Sequence, residues 1–358
     1  MKNFISLFGL TTLACMFSGI CSYGDIQAND ASSDDSNEDL SKLNANFAFS
    51  LYSKLSESNN KNIFVSPFSV SSAMAMTYQG SNGKTETEIK NILCFQDRLK
   101  TAESFQKLNS NISVDSKKGL IIKTANALWL QKDYKFLDSF LDTVKKYFGG
   151  GLNQVDFAKD PENARLKINE WAEKETENKI KNLVPQGVIK QITRLVITNA
   201  VYFKGDWKYP FNKKDTENQP FFVSKTEKLT VPMMTMKEKF LYAEDDTVQM
   251  LNMPYLDGKV SMIIVLPKEK NGLKKIEKSF DSARFAELKK QLRTKKIKVF
   301  IPKFKLEESY GLVDTFKSMG LVSAFSAEEA DFSGIDGAKN FLISAIIHKT
   351  FIDVNEEG

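Results

Sequence analysis

Apolar residues near the end of the chain fall on both alternating faces of an extended segment. Between residues 341 and 354, one face carries Leu342, Ile346, Ile352 and Val354, and the other carries Phe341, Ile343, Ala345, Ile347 and Phe351. A strand with apolar side chains on both faces is normally covered on both sides. The pattern therefore predicts a central strand of a sheet.

Hydrophobic periodicity also predicts helices earlier in the chain. Apolar residues at helical spacing predict a first helix over residues 40–56. Ser66 followed by Pro67 is typical of an N-cap with proline at the first helical position, and Gly80 fits the end of that helix. Ser66 and Ser69 belong to a face of small side chains, which lets another layer approach closely. A later helix is predicted over residues 161–184.

Strands are predicted over residues 120–131 and 192–203, and the second has apolar residues on both faces. Asn199 therefore lies in or near a core, where a buried amide needs hydrogen-bond partners. Helices and mainly antiparallel strands are intermixed, without regular βαβ alternation, internal repeats or a linker after residue 40. This organisation predicts one large α+β domain over residues 40–358.

The N-terminal residues differ from the rest in composition. Residues 1–24 combine an early lysine with an apolar run and resemble a secretory signal peptide cleaved near Gly24. An uncleaved membrane anchor is the alternative. Residues 25–39 are polar and acidic, and we expect a disordered lead-in there. The sequence therefore predicts a secreted, extracellular protein.

Charge and cysteine content narrow the classes of partner and of covalent modification. The 358 residues carry 50 basic and 45 acidic side chains, a net charge of +5, and from so diluted an excess we expect no nucleic-acid or membrane partner. Removal of residues 1–24 leaves Cys94 as the one cysteine, so no internal disulfide is expected. Asn111 begins a glycosylation sequon that export would make usable.

The chain lacks the motifs that carry common enzyme mechanisms. It has no HExxH, GxSxG or Walker A sequence and no Cys/His pairs at metal-ligand spacing. Its single histidine, His348, has apolar strand neighbours, which favours a buried and hydrogen-bonded histidine over a catalytic base. We therefore expect no enzyme activity, no metal and no organic cofactor.

One cationic segment stands out, residues 289–305, with eight lysines or arginines and no acid. Two interpretations remain open: a solvated helix-to-strand edge, and a patch for a glycosaminoglycan or another polyanion. The residues of such a patch would be Lys289, Lys290, Arg293, Lys295, Lys296 and Lys298.

Several segments, taken in order, resemble the serpin family over residues 40–358. They are NIFVSPFSVSSAMAM at 62–76, TRLVITNAVYFKGDWKYPF at 193–211, VFIPKFKLEESYGL at 299–312, ADFSGI at 330–335 and HKTFIDVNEEG at 348–358. Each is moderately specific alone, and the set is very specific in this order and spacing. The resemblance implies the serpin fold, with a large central sheet A, smaller sheets and about nine helices.

The resemblance also implies three groups of functional residues. The shutter, a polar cluster beneath the point where the main sheet opens, is matched by Ser66, Ser69, Asn199 and His348. The breach, at the top of that sheet, is matched by Trp207, Lys303 and Glu356. The start of the reactive-loop hinge is matched by Glu356, Glu357 and Gly358.

By resemblance the protein is an inhibitor of serine, or less often cysteine, proteases, expected to be a monomer that can polymerise. In the family a protease cleaves the reactive loop, remains attached as an acyl-enzyme, and is displaced when the loop inserts into the central sheet as a new strand. The alternative is a non-inhibitory serpin acting as a carrier, chaperone or storage protein. Because the sequence as given ends at Gly358, before the loop and the last strands of the family, we expect the chain as given not to trap a protease.

Overall fold

The computed structural model describes residues 4–6, 35–58, 61–112, 120–149, 151–223, 226–256, 258 and 260–358. Its helices are α1 (Asp35–Ser58), α2 (Pro67–Gln79), α3 (Gly83–Leu93), α4 (Arg98–Ile112), α5 (Asp138–Phe148), α6 (Pro161–Glu175), α7 (Leu273–Ser279), α8 (Ser282–Lys290), α9 (Val313–Ser318) and α10 (Ser333–Asp336). Its strands are β1 (Phe4–Ser6), β2 (Leu120–Gln131), β3 (Leu152–Val155), β4 (Leu195–Gly205), β5 (Glu217–Phe222), β6 (Lys228–Glu244), β7 (Val248–Pro254), β8 (Ser261–Pro267), β9 (Arg293–Pro302), β10 (Phe304–Gly311) and β11 (Ile343–Val354). Within these ranges, no helix is long and apolar enough to cross a membrane.

A five-stranded sheet in the order β10-β11-β4-β2-β3 contains the strand predicted near the end of the chain. β11 pairs antiparallel with β10 and parallel with β4, and β4 pairs antiparallel with β2. The prediction of an internal strand, apolar on both faces, is therefore confirmed. The mixture of helices with largely antiparallel sheets also confirms the α+β class.

The two faces of β11 differ from the predicted division at one point. A register shift between Ile343 and Ala345 interrupts the pairing with β4. Ile343 consequently packs in the same cluster as Ile346, whereas Ala345 and Ile347 belong to a cluster on the other side. An irregularity that adds one residue to a strand reverses the alternation beyond it, which strict period-two reasoning cannot detect.

A second sheet has the order β1-β9-β6-β7-β8, with β5 also paired to β6. The strand β6 is 17 residues long and pairs with β5 through its first part and with β9 and β7 through its second. β1, formed by Phe4–Ser6, runs parallel to β9. Six of the nine strand pairs in the two sheets are antiparallel, the exceptions being β1 with β9, β11 with β4, and β2 with β3.

The helix α2 is buried over almost its whole length, from Pro67 to Tyr78. Its predicted ends are confirmed: the Ser66 side chain accepts a hydrogen bond from the Ser69 backbone, proline follows the cap, and Gly80 ends the helix. A helix without a polar face must pack on all sides. Small residues such as Ser69 and Ala73 let this helix lie directly against β2 and β4.

Two predicted boundaries are wrong in part. α1 begins at Asp35, so the last residues of the predicted disordered lead-in are helical; most of residues 1–34 lie outside the described part of the chain. α6 ends at Glu175 rather than near residue 184. Glu177 and Asn178 adopt left-handed backbone conformations, with φ of 52° and 60°, which stop a right-handed helix whatever the apolar spacing beyond.

The contact between the end of α2 and α10 is close enough to require glycine. The Gly334 amide donates to the Gly80 carbonyl at 3.0 Å, and a Cβ added at Gly334 would lie 2.9 Å from that same oxygen. We expect Gly334→Ala to lower the free energy of unfolding by roughly 1–3 kcal/mol, because backbone cannot give way as a side chain can. Urea unfolding monitored by circular dichroism measures the effect. Gly311→Ala, where a Cβ meets nothing within 4 Å, is the control and should change little.

Candidate functional site

Four side chains form a row across four neighbouring strands of the five-stranded sheet. Pairing registers align Tyr310 of β10 with His348 of β11, His348 with Asn199 of β4, and Asn199 with Asn126 of β2. His348 and Asn199 are fully buried. A polar row inside a sheet is costly unless each group has a partner.

The start of α2 supplies those partners. The Ser66 amide donates to His348 Nε2 at 2.9 Å, and the Ser69 hydroxyl donates to Asn126 Oδ1 at 2.8 Å. The Asn199 amide nitrogen donates to the Ser69 hydroxyl and to Asn126 Oδ1. His348 Nδ1 hydrogen-bonds to Asn199 Oδ1. The four residues that match the shutter are therefore joined in one hydrogen-bonded cluster.

These partners fix the state of the histidine. Since Nε2 accepts from a backbone amide, the proton of a neutral ring is on Nδ1, which donates to Asn199 Oδ1. Burial lowers the pKa of His348 from 6.5 to about 3, against a smaller opposing effect of its contact with Asn199. His348 is therefore neutral at physiological pH and is a structural hydrogen-bonding group.

The sequence motifs do not point to three residues in or beside this cluster, namely Asn126, Tyr310 and Thr350. Asn126 lies in a predicted strand that also contains Lys123, Thr124 and Gln131, so nothing in the sequence distinguishes it as the partner of Asn199. The Phe64 amide donates to the Tyr310 hydroxyl at 3.0 Å, and the Thr350 hydroxyl donates to the Phe64 carbonyl at 2.6 Å. Both bonds join the segment before α2 to the sheet, and only the strand register reveals them.

An ion pair with a buried carboxylate lies just after the end of β11. Lys303 Nζ donates to Glu356 Oε2 at 2.8 Å and the Thr216 hydroxyl donates to Glu356 Oε1 at 3.0 Å. The Glu356 side chain is buried, whereas that of Lys303 is nearly half exposed. The hydrogen bond from Lys303, despite the opposing effect of burial, keeps the pKa of Glu356 below its usual value.

Trp207 fixes the backbone that follows β11. Its indole stacks on Tyr255 with ring centroids 4.7 Å apart, its Nε1 donates to the Asn355 carbonyl at 3.0 Å, and its amide donates to the Glu357 carbonyl at 2.8 Å. The three residues that match the breach thus meet around the same short segment. The Glu357 side chain is exposed and pairs with Lys213 at 2.7 Å.

A cavity of about 210 Å³ opens between β4 and β11 at this end of the sheet. The last aligned pair of the two strands is Tyr202 with Phe351, after which they separate. The cavity is lined by the ends of both strands and by residues that match the reactive-loop hinge, among them Phe203, Lys204, Asp353, Glu357 and Gly358.

The predicted polyanion patch is not one surface. Arg293 Nη1 donates to the Lys290 and Leu292 carbonyls, and Lys295 lies over the Tyr242 ring with its Nζ 3.8 Å from Glu244. Lys289 and Lys290 end α8, and exposed Lys296 and Lys298 lie on β9. Side chains alternate between the two faces along β9, so Lys295 points to the opposite face from Lys296 and Lys298. The run of charges in the sequence does not show this division.

The glycosylation sequon and possible metal ligands were also considered in the sequence. Asn111 is in the last turn of α4, its side chain lies outside the described part, and its glycosylation stays a prediction. Over the described ranges, no group of three histidine, cysteine, aspartate or glutamate residues could hold a metal ion.

Comparison with known proteins identifies the family. A family model described as "Serpin (serine protease inhibitor)" matches residues 42–358. The chain belongs to the serpin family. Leukocyte elastase inhibitor of Homo sapiens is 42% identical over 332 residues, which cover 90% of this chain and 87% of that serpin.

Solved serpin structures share the fold. Uncleaved ovalbumin superimposes with a TM-score of 0.84 at 28% identity, covering 89% of this chain and 90% of that one. Human thyroxine-binding globulin, in complex with its hormone, superimposes with a TM-score of 0.82 at 30% identity, covering 90% and 87%. The serpin fold implied by the sequence motifs is confirmed.

The prediction of a secreted, extracellular protein is wrong on these comparisons, because the leukocyte elastase inhibitors are intracellular serpins. The predicted signal peptide, residues 1–24, lies outside the described part of the chain except for Phe4–Ser6, which pair as β1. An apolar N-terminal run is compatible with a strand as well as with a signal peptide, so the run alone does not indicate secretion.

Serpin stability should fall in mild acid because of His348. An unfolded histidine takes up a proton below pH 6.5, whereas the folded one stays neutral down to about pH 3, so stability is lost as pH falls through this window. The loss between pH 7 and pH 5 should be about 2 kcal/mol. His348 is the single histidine of the chain. Urea unfolding at both pH values should therefore show a much smaller difference in His348→Gln, and an equal difference in the two proteins would contradict this account.

Charge reversal at the breach should be far more damaging at Glu356 than at its neighbour. Glu356→Lys would leave two cations around a buried position, and we expect a loss of roughly 2–4 kcal/mol together with aggregation. Glu357→Lys makes the same charge change at an exposed position and should leave the melting temperature almost unchanged. Calorimetry and size-exclusion chromatography compare the two variants. A monomeric Glu356→Lys protein with an unchanged melting temperature would show that the buried pair is unimportant.

Proposed function

We propose that this serpin inhibits a serine-type endopeptidase by inserting its cleaved reactive loop between β4 and β11. The observation that carries the proposal is the joint between these strands, which run parallel and separate beyond Tyr202 and Phe351 around a cavity bordered by Gly358. A strand that continues from Gly358 would enter the sheet at this opening. Because the chain would turn back after β11, the new strand would run antiparallel to both neighbours and would pair with each of them.

The shutter cluster supports insertion at this position because few of its side-chain hydrogen bonds join β4 to β11. His348 to Asn199 joins β11 to β4. The bond of Asn199 to Asn126 lies wholly on the β4 side. The start of α2 contacts both strands, because Ser69 bonds to Asn199 on β4 and the Ser66 amide bonds to His348 on β11. Separation of the strands therefore breaks the bond of His348 to Asn199 and requires α2 to release either His348 or Asn199. The backbone pairs lost between the two strands would be replaced by those of a new strand.

The covalent chemistry belongs to the protease. Its serine Oγ adds to the carbonyl carbon of the scissile bond, the serine proton passes to the departing amine through the protease's own base, and the peptide bond breaks. An ester then joins the protease to the N-terminal part of the loop. Insertion of that part moves the protease away before water can cleave the ester. A cysteine protease would form a thioester by the same steps.

The test is a covalent complex that survives denaturation. Leukocyte elastase is the first protease to use, because the relatives named as its inhibitors are about two-fifths identical to this chain. The protein, expressed with any residues that its gene encodes after Gly358, should yield a band at the summed mass on a denaturing gel. A chain ended at Gly358 has no loop to cleave and is the control that should yield none.

A non-inhibitory serpin is the alternative, and the structural likeness to thyroxine-binding globulin, whose structure holds a bound ligand, gives it weight. Such a protein would be cleaved by proteases without retaining any of them. Cleavage without a denaturation-resistant complex, across a panel of serine and cysteine proteases, would therefore favour a carrier or storage role over inhibition.

A further inference from the structure

Strand pairing brings together lysines that are far apart in the sequence. Lys237 of β6 lies directly opposite Lys298 of β9, and Lys239 lies opposite Lys296. All four side chains are exposed. We call Lys237, Lys239, Lys296 and Lys298 the lysine quartet. Alternation along each strand puts all four on one face of the sheet.

The quartet works against the stability of the sheet. Like charges directly opposite each other on neighbouring strands are unfavourable. Across the described ranges, none of the four ammonium groups has a carboxylate within 4.0 Å, and the one contact that any of them makes is that of Lys298 Nζ, 4.9 Å above the Phe300 ring. Two repelling pairs without neutralising acids suggest an anionic partner from outside the chain.

The spacing of the quartet suits a regular polyphosphate. Residues two apart on a strand are separated by roughly 6.8 Å, and directly opposite Cβ atoms by roughly 5 Å. One strand of a nucleic-acid duplex carries a phosphate every ~3.4 Å along the axis, and because successive phosphates are also displaced around the axis, neighbouring phosphates lie roughly 7 Å apart. Lysine acts on phosphate as a point charge and needs no particular orientation.

We propose that the lysine quartet binds the phosphate backbone of a double-stranded nucleic acid, without preference for base sequence. A single strand is disfavoured, because bases of a single strand need exposed aromatic rings and Phe300 is already covered by Lys298. The net charge of +5 does not predict this site, because strand pairing brings together lysines that are far apart in the sequence.

The salt dependence of binding tests the proposal quantitatively. Fluorescence anisotropy with the full chain and a labelled 30-base-pair duplex of mixed sequence measures the association constant between 50 and 200 mM NaCl. Four phosphate contacts give a slope of about −3.6 in log K against log [NaCl], which is an affinity loss of about 150-fold over this range. Unlabelled duplexes of unrelated sequence should compete equally.

The variant Lys237→Glu/Lys239→Glu replaces both repelling pairs by attracting ones. Its melting temperature should be equal to or above that of the unmodified protein. Its affinity at 50 mM NaCl should fall at least about tenfold, with a slope no steeper than about −1.8. Lys159→Glu/Lys174→Glu makes the same change in net charge at exposed lysines on and beside α6, and should retain most of the binding.

Three outcomes would overturn the proposal. The first is no measurable duplex binding at 50 mM NaCl. The second is an equal loss in the two double variants, which would make the effect one of net charge alone. The third is quartet-dependent retention on heparin without any duplex binding, which would assign the surface to sulfated glycans. A folded Lys237→Gln/Lys239→Gln protein provides the same comparison if the glutamate variant fails to express.

Discussion

The side-chain amide of Asn199 is the point on which the central sheet and its covering helix depend. Its oxygen accepts from His348 on the parallel neighbour β11, while its nitrogen donates to Ser69 at the start of α2 and to Asn126 on the other neighbour, β2. One group thus joins three strands and a helix in a fully buried position. Because each of its polar atoms is used there, loss of any partner leaves another group without one, which costs more than the bond itself contributes.

The shutter cluster and the breach are stabilised by different kinds of interaction. The shutter cluster consists of neutral groups in a dry interior, so salt and moderate alkali should affect it little. The breach is held by an ion pair whose lysine reaches solvent, together with the stacked rings of Trp207 and Tyr255. A single strand, β11, therefore has a middle governed by hydrogen-bond geometry and an end governed by charge.

Local signals in the sequence predicted local structure well. Ser66 before Pro67 identified the start of α2, period-two apolarity identified β11, and a lone buried amide identified Asn199 as a residue that needs partners. Non-local pairing could not be obtained in this way. Asn126 and Tyr310 join the cluster only through strand register, Lys295 leaves the basic patch through strand alternation, and the left-handed residues after Glu175 end a helix that apolar spacing would have extended. The family motifs supplied the residues of the breach, where Lys303 and Glu356 are separated by 52 intervening positions.

The register shift between Ile343 and Ala345 restricts how β11 can move. From Ala345 to Phe351 each residue has a fixed partner on β4, and a slip by one position would turn His348 away from Asn199 and send Ile347 to the opposite side of the sheet. Sliding along the strand axis is therefore closed as a route of motion. β11 can leave β4 only by moving sideways, in the plane of the sheet, so the joint should behave as a two-position element with no stable stop between its closed and its expanded width.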